Sequence, residues 1–298
     1  MGKLESSDYI AVSCNLCGIN NYKIYTLDDT PEAIHPRKVK CRKCGLVYVN
    51  PRATYKKYEE YYSNIYPHKG LTDIENIIEY MKPFKEHHRN YFKYLNSQMN
   101  PGKFLDVGCS IGSMVHASEE MGWEGYGIEL SKEYHDYAIN VIGLMNIYRG
   151  DIFSAQFQDN FFDHIYAWHV IEHVPDAKKF LMEIQRILKP EGGLVIGTPH
   201  INGFHIKTNY LLNRLRGVYP KQMTVDHHTY EFTSKTIKRM LNDCGFRIIS
   251  IECYWPTSHV KNINRNWKGK LQDIVADIVA YLFPETKGYH MRIECVLN

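Results

Sequence analysis

A short apolar run that ends in an acid and a glycine-rich turn constrains this chain more than any other segment: Phe104-Leu105-Asp106-Val107-Gly108-Cys109-Ser110-Ile111-Gly112. It reads as a buried strand, a tight turn and a helix opening near Ser113. Glycines tighten such a turn and let backbone N–H groups approach a ligand that a Cβ would keep away. That arrangement serves nucleotide-like ligands at the carboxyl edge of a parallel sheet. Spacing then sorts the ligand class. A dinucleotide site needs G-x-G-x-x-G, so that pyrophosphate rests on the helix N-terminus. Here Asp106-x-Gly108-x-Ser110-x-Gly112 puts an acid ahead of the turn and lacks the third glycine at the required offset.

The next ninety or so residues repeat the theme. Gly125-Tyr126-Gly127-Ile128-Glu129-Leu130 is a second strand-like run that reaches another acid, suited to the two hydroxyls of a ribose. Gly150-Asp151-Ile152-Phe153 follows, then Phe162-Asp163-His164-Ile165-Tyr166-Ala167-Trp168-His169-Val170-Ile171-Glu172-His173-Val174, and last Leu188-Lys189-Pro190-Glu191-Gly192-Gly193-Leu194-Val195-Ile196-Gly197-Thr198-Pro199. In this order the series resembles the class I S-adenosylmethionine-dependent methyltransferases over roughly residues 101–255. The resemblance implies a Rossmann-like α/β sheet of seven strands, mostly parallel, with an antiparallel edge hairpin. It also implies a cofactor site. Asp106 and the turn Gly108, Cys109, Ser110 and Gly112 would hold the methionine end; Glu129, beside Leu130, would accept both ribose hydroxyls; Asp151 and the Ile152 N–H would read the adenine edge. Ser110 stands where many members carry glycine, so it must take a permissive backbone conformation.

Alternating strands and helices imply parallel strands with right-handed crossovers. Strands are expected near 103–107, 124–129, 145–149, 162–167, 192–198, 246–254 and 289–296, and helices near 112–121, 131–141, 176–188 and 233–243.

Four of the eight cysteines form two knuckles, Cys14-Asn-Leu-Cys17-Gly and Cys41-Arg-Lys-Cys44-Gly, with 23 residues between them. Two such knuckles supply four thiolates for a closed tetrahedral zinc site. Two disulfides or an iron–sulfur site are the rivals, and a chain without a secretion signal disfavours the disulfides. Zinc binding contributes ~10–16 kcal/mol in small peptides, enough to fold so small a ribbon. A four-thiolate site has no open position for chemistry. The chain therefore divides into a zinc ribbon over 9–50, a helical tyrosine-rich connector or lid over 51–100, and the methyltransferase domain over 101–298, with insertions near 200–228 and 256–288. Tyr55, Tyr58 and Tyr62 fall at i, i+3, i+7 and make one aromatic stripe. It either packs the ribbon on the core or flaps over the cofactor. In the second insertion, a 13-residue apolar helix over 271–283 is too short to span a bilayer and suits core or homodimer packing. With no signal peptide and no transmembrane segment, a cytoplasmic location is expected.

Attack on a sulfonium methyl is an in-line displacement, so proximity and alignment dominate. A hydroxyl nucleophile also needs a base or a metal to take its proton. The end of the fourth strand carries His169-x-x-Glu172-His173. These residues either organise the loop, supply a histidine base, or help bind a catalytic divalent metal. Ubiquinone-pathway O-methyltransferases look similar here, with glutamate where His169 stands. His228, in Asp226-His227-His228-Thr229-Tyr230, joins His200, Asn202 and His205 as a candidate on the acceptor side. The stretch 205–221 carries His205, Lys207, Arg214, Arg216 and Lys221, which either meet a phosphate-bearing acceptor or form a solvated face.

Two functions fit. One is methylation of a small molecule, on oxygen, with a sugar or polysaccharide precursor suggested by the ribbon–connector–methyltransferase order. The other is an RNA methyltransferase whose ribbon grips nucleic acid. A formal charge of +3 on 298 residues lacks the basic footprint that nucleic-acid binding requires. A non-catalytic scaffold that kept the cofactor fold is a third class, and the intact motifs speak against it.

Overall fold

The computed structural model describes residues 8–25, 36–65, 79, 84–201, 228–254 and 290–297. The expected helix over 271–283, the basic stretch 205–221 and Asn202 lie outside them.

In chain order the N-terminal part gives β1 (Tyr9–Ile10), β2 (Tyr22–Ile24), β3 (Arg37–Cys41), β4 (Val47–Asn50) and β5 (Arg52–Ala53). Helix α1 (Tyr55–Glu60) continues as a π turn over Tyr61–Ile65, and α2 spans Phe84–Gln98. The α/β part follows as β6 (Lys103–Val107), α3 (Ser113–Glu120), β7 (Glu124–Glu129), α4 (Lys132–Tyr137), β8 (Ile147–Arg149), β9 (Phe162–Trp168), α5 (Ala177–Ile187) and β10 (Leu188–Pro199). The last elements are β11 (Tyr230–Glu231), α6 (Ser234–Asp243), β12 (Phe246–Tyr254) and β13 (His290–Leu297).

Seven strands form one sheet in the order β12-β13-β10-β9-β6-β7-β8. β10, β9, β6, β7 and β8 run parallel, while β13 is antiparallel to both β10 and β12. The expected edge hairpin is present. Central β6 is buried from Phe104 to Val107, as a strand covered on both faces must be. On one face, α5 buries Ala177, Phe180, Leu181, Ile184 and Ile187, an apolar stripe at helical spacing. On the other, Phe92 and Leu95 of α2 meet Phe104, Met114, Ala117 and Trp123.

The four cysteines converge, with Cys14 Sγ 3.4 Å from Cys44 Sγ and Cys17 Sγ 3.6 Å from Cys41 Sγ. Sulfurs on a tetrahedral zinc at about 2.3 Å sit at roughly this separation. Burial pushes the Cys44 thiol up to about 11 and raises Cys14 further. Burial also opposes ionisation of Cys41, but the backbone N–H groups of its knuckle outweigh it and bring that thiol down to about 7. A cation at the centre would favour the thiolate form of the raised pair as well. The donor set fits a zinc ribbon.

The ribbon does not stand apart. Its sheet has the order β11-β4-β3-β2, so its fourth strand comes from beyond residue 229. Asn15, inside the first knuckle, donates Nδ2–H to Asp176 Oδ1 at 2.8 Å and accepts from the Lys178 N–H at 3.0 Å. Asp176 is also the N-cap of α5. Leu16, Val39, Leu46 and Tyr48 of the ribbon share one core with Tyr230, Phe232, Ile237 and Met240.

Stripping the ribbon's metal with a chelator should loosen β3 and β4 first. The Val49 N–H, bonded to Thr229 O at 2.9 Å, should exchange at least about tenfold faster, while β6 amides stay protected. Hydrogen exchange with residue resolution measures both.

Candidate functional site

The strand ends set the site. β6 and β7 pair Asp106 with Gly127 and Val107 with Ile128, so the two glycine-rich strand ends emerge side by side. The turn after β6 uses three left-handed residues, Gly108 at φ 76°, Ser110 at 52° and Gly112 at 78°. Ser110 thus adopts the conformation its place in the motif demands, at a cost that a glycine would avoid. Gly108 is exposed, and a Cβ on it would approach Val170 Cγ2 to 2.8 Å. Its bare backbone faces the cleft.

Glu129 ends β7 half-buried. Its Oε2 accepts the Ser110 N–H at 2.9 Å and its Oε1 the Ser131 N–H at 2.7 Å. These bonds aim the carboxylate across the turn and leave further lone pairs for a ligand's hydroxyls. Asp106 is 6% exposed. Burial, reinforced by the Glu129 charge, pushes it up to about 8, which favours the protonated acid at neutral pH. An acid held in that state suits a positively charged ligand group. Cys109 differs from its neighbours in the motif. Its side chain is buried with Val115, Ala138, Leu144 and Ile147, and its N–H bonds Ile128 O at 3.0 Å, so the thiol packs inward. Asp151 follows β8, with Ile152 buried behind it. Ser154 N–H donates to Asp151 Oδ1 at 2.7 Å. Leu130 is half-buried beside Glu129.

The tyrosine stripe touches this cleft at one end and the histidines at the other. Tyr55 donates its hydroxyl hydrogen to Asp151, and burial together with that bond raises its pKa. Tyr58 feels the charges of both Asp151 and Glu129. Tyr62 Oη lies 2.7 Å from His173 Nδ1. One helix face therefore runs from the cofactor acids to the histidine cluster.

That cluster forms where β9 ends. His169 turns at φ 55° and donates its N–H to Gly197 O at 2.9 Å. Its Nδ1 is 2.8 Å from Glu172 Oε1, and His173 Nε2 is 3.9 Å from the same oxygen. Burial opposes ionisation of Glu172, yet the His169 hydrogen bond and the His173 charge overcome it and hold the carboxyl below its usual range. The ring of His228 lies 4.9 Å from that of His173, and that of His290 4.8 Å from His169. One ligating atom from each of Glu172, His173 and His228 falls within 4.8 Å of the others. His200 is buried beneath, bridged to Phe232, and His205 lies outside the described residues.

Beside the cluster lies a cavity of about 150 Å³, walled by Val49 and Arg52 from the ribbon side, Tyr58 and Tyr62 from the lid, and His173, Pro175 and Thr229 from the core.

The model of a methyltransferase domain matches residues 77–251, more than half of the chain. The chain belongs to that methyltransferase family. Sterol 24-C-methyltransferase of Saccharomyces cerevisiae is 25% identical over 179 residues, covering 55% of this chain and 44% of that enzyme. Demethylmenaquinone methyltransferase of Staphylococcus epidermidis is 26% identical over 203 residues, covering 61% of this chain and 82% of that enzyme. The chain thus spans less than half the length of the first of these relatives. Among solved structures, phosphoethanolamine N-methyltransferase 2 of Haemonchus contortus, in complex with S-adenosyl-L-methionine, superposes with a TM-score of 0.54 at 16% identity. That match covers 84% of this chain and 62% of the other, and it establishes the fold.

Several residues around the site carried no functional signal in the sequence: Lys38, Glu231, His290 and Arg52. Each reaches the site from a distant segment. Lys38 and Glu231, 193 residues apart, form a buried ion pair, and Glu231 Oε1 is 3.3 Å from His228 Nδ1. Spacing along the chain held no trace of it.

Asp106 makes stability pH-dependent. Its folded pKa of about 8 exceeds its ordinary 3.8, so between these values the folded chain binds more protons than the unfolded one. This contribution is full below about pH 4 and is lost as pH rises through about 8. Melting scans across that window should show the decline, and Asp106→Asn should flatten it.

Proposed function

We propose that this protein transfers a methyl group from S-adenosylmethionine to an oxygen of a small polar acceptor bound in the cavity beside His173. The single observation that carries this reading is the adjacency of two sites. The acid-and-glycine cleft of Asp106, Gly108 and Glu129 is linked by one tyrosine face to the Glu172–His173–His228 cluster.

S-adenosylmethionine supplies an electrophilic methyl on a sulfonium. The chain's own residues do the rest. Asp106 gives up its proton as a cationic group enters, and the bare Gly108 backbone leaves room beside it. Glu129 takes the paired ribose hydroxyls, Asp151 the adenine edge. Tyr55 and Tyr58 close the cleft and exclude water, which aligns the two reactants. A neutral imidazole of His173 or His228 accepts the acceptor's hydroxyl proton, with Glu172 ionised alongside to stabilise the imidazolium.

A small polar ring such as a sugar suits a cavity of about 150 Å³ edged by Tyr58 and Tyr62. The relatives' names span sterol and menaquinone acceptors, so the acceptor is chosen by this cavity and not by the family. The four thiolates hold zinc in a structural role, and the same reading assigns the protein to the cytoplasm, where thiols stay reduced.

A specific observation favours a second way to activate the hydroxyl. Glu172 Oε2 is buried and has no hydrogen-bond partner among the described residues, while His173 and His228 stand within ligating range. These three residues would hold a divalent cation, which would acidify the acceptor hydroxyl in place of a histidine base.

Calorimetry with S-adenosylhomocysteine tests the cofactor half. Glu129→Ala should weaken binding about 10–150-fold, the loss of hydrogen bonds to a charged group. His173→Ala and His228→Ala should bind the product normally and lower turnover about 10²–10⁴-fold. Turnover is read with labelled S-adenosylmethionine and fractionated cell extract. Label confined to a ribonuclease-sensitive fraction would replace the small-molecule acceptor with RNA.

A further inference from the structure

The ribbon reaches into the acceptor site through one buried ion pair. Lys38 on β3 is 5% exposed and Glu231 on β11 is 4% exposed, and the two side chains are in direct contact. Glu231 Oε1 also lies 3.3 Å from His228 Nδ1. A carboxylate only accepts, so the imidazole must carry its proton on Nδ1 to complete that contact. Nε2 is then the nitrogen with a lone pair, whether for a proton or for a cation. An imidazole away from such a partner exchanges freely between its two tautomers.

The backbone enforces the same connection. β4 pairs Tyr48 with Tyr230 and Val47 with Glu231, and the Val49 N–H donates to Thr229 O. On its other edge the same segment grips the cluster loop: the Tyr230 N–H donates to Glu172 O at 3.0 Å, and Thr229 Oγ1 to His173 O at 3.0 Å. His228 enters this segment directly. Cys41, one of the four thiolates, ends the strand that carries Lys38 three residues earlier. A buried lysine and glutamate are costly to keep, and replacing such a pair by apolar residues is often neutral for stability. Folding alone does not call for this pair.

We infer that Lys38 is a positioning residue of the acceptor site, acting through Glu231 to fix the tautomer and the orientation of His228, so that the four-thiolate ribbon is a structural part of that site. This rests on the reading of His228 as an acceptor-side group, and it assigns the ribbon a task unrelated to gripping nucleic acid.

The test uses the full-length, metal-loaded protein and needs no acceptor. Long-range ¹H–¹⁵N spectra of the histidine side chains report the tautomer of His228, and calorimetry with S-adenosylhomocysteine reports the cofactor site. The wild type should show His228 protonated on Nδ1. Lys38→Met should convert it to the Nε2–H form or to an average of the two, while Lys38→Arg keeps the wild-type signature. Product affinity should change by no more than about threefold in either variant. If Lys38→Met alone does not fold, Lys38→Met/Glu231→Met removes both buried charges, and its His228 spectrum carries the same readout. A wild-type Nε2–H tautomer, or a His228 signal unmoved by loss of the pair, overturns the inference and leaves the pair as an anchor of the fold. Failure of the wild type to bind S-adenosylhomocysteine would instead defeat the methyltransferase reading, with the histidine spectra still deciding the role of Lys38.

Discussion

Residues 229–231 are hydrogen-bonded along both edges, and the arrangement of the whole molecule depends on that seam. On one side they complete the ribbon's sheet beside β4. On the other they hold the Glu172–His173 loop through the Tyr230 N–H and the Thr229 hydroxyl. Arg52 Nη1 reinforces the junction by donating to the Tyr230 hydroxyl, which in turn donates to Pro175 O. A buried strand must satisfy its N–H and C=O groups somewhere, and this one satisfies them across what the sequence presents as two separate units.

The two halves of the site are built on different principles. The proposed cofactor half sits on strand ends, where the register of β6 and β7 places Asp106, Gly108 and Glu129 by local geometry. The acceptor half is assembled from segments far apart in the chain: lid tyrosines, the loop after β9, the start of β11 and the ribbon edge. Rigid sheet positions suit a constant ligand. Loop walls tolerate change more readily than sheet positions, which suits an acceptor that varies among relatives.

Legibility followed the same division. Strands β6, β7 and β9 and helices α3, α5 and α6 fall within a residue or two of the expected spans, and so do β12 and β13, whose hairpin the family resemblance and not periodicity implied. β10 begins earlier than expected, at Leu188, because the strand continues through an irregularity between Leu188 and Gly193 in which Glu191 turns left-handed at φ 63°. The four thiolates were legible from knuckle spacing alone. What the sequence concealed was contact between distant polar groups. Nothing near Lys38 announces a buried cation, since an alternating Lys38-Val39-Lys40 reads as an ordinary edge strand. The tyrosine stripe offered two roles by periodicity, and the sequence held no sign that Tyr55 meets Asp151 and Tyr62 meets His173. Cys109 sits inside the most informative motif, and its thiol is buried as a small side chain among Val115, Ala138 and Leu144.

The shared apolar core has a consequence for how the chain is made. The ribbon leaves the ribosome well before its cover, since the residues that cover Leu46 and Tyr48 lie near Tyr230 and Phe232. At ordinary synthesis rates of about 5–20 residues per second, that greasy face and the open edge of β4 wait roughly 10–40 s for their cover. Until that cover arrives, the nascent ribbon shows an apolar face and an unpaired strand edge, the features that make folding intermediates prone to aggregate.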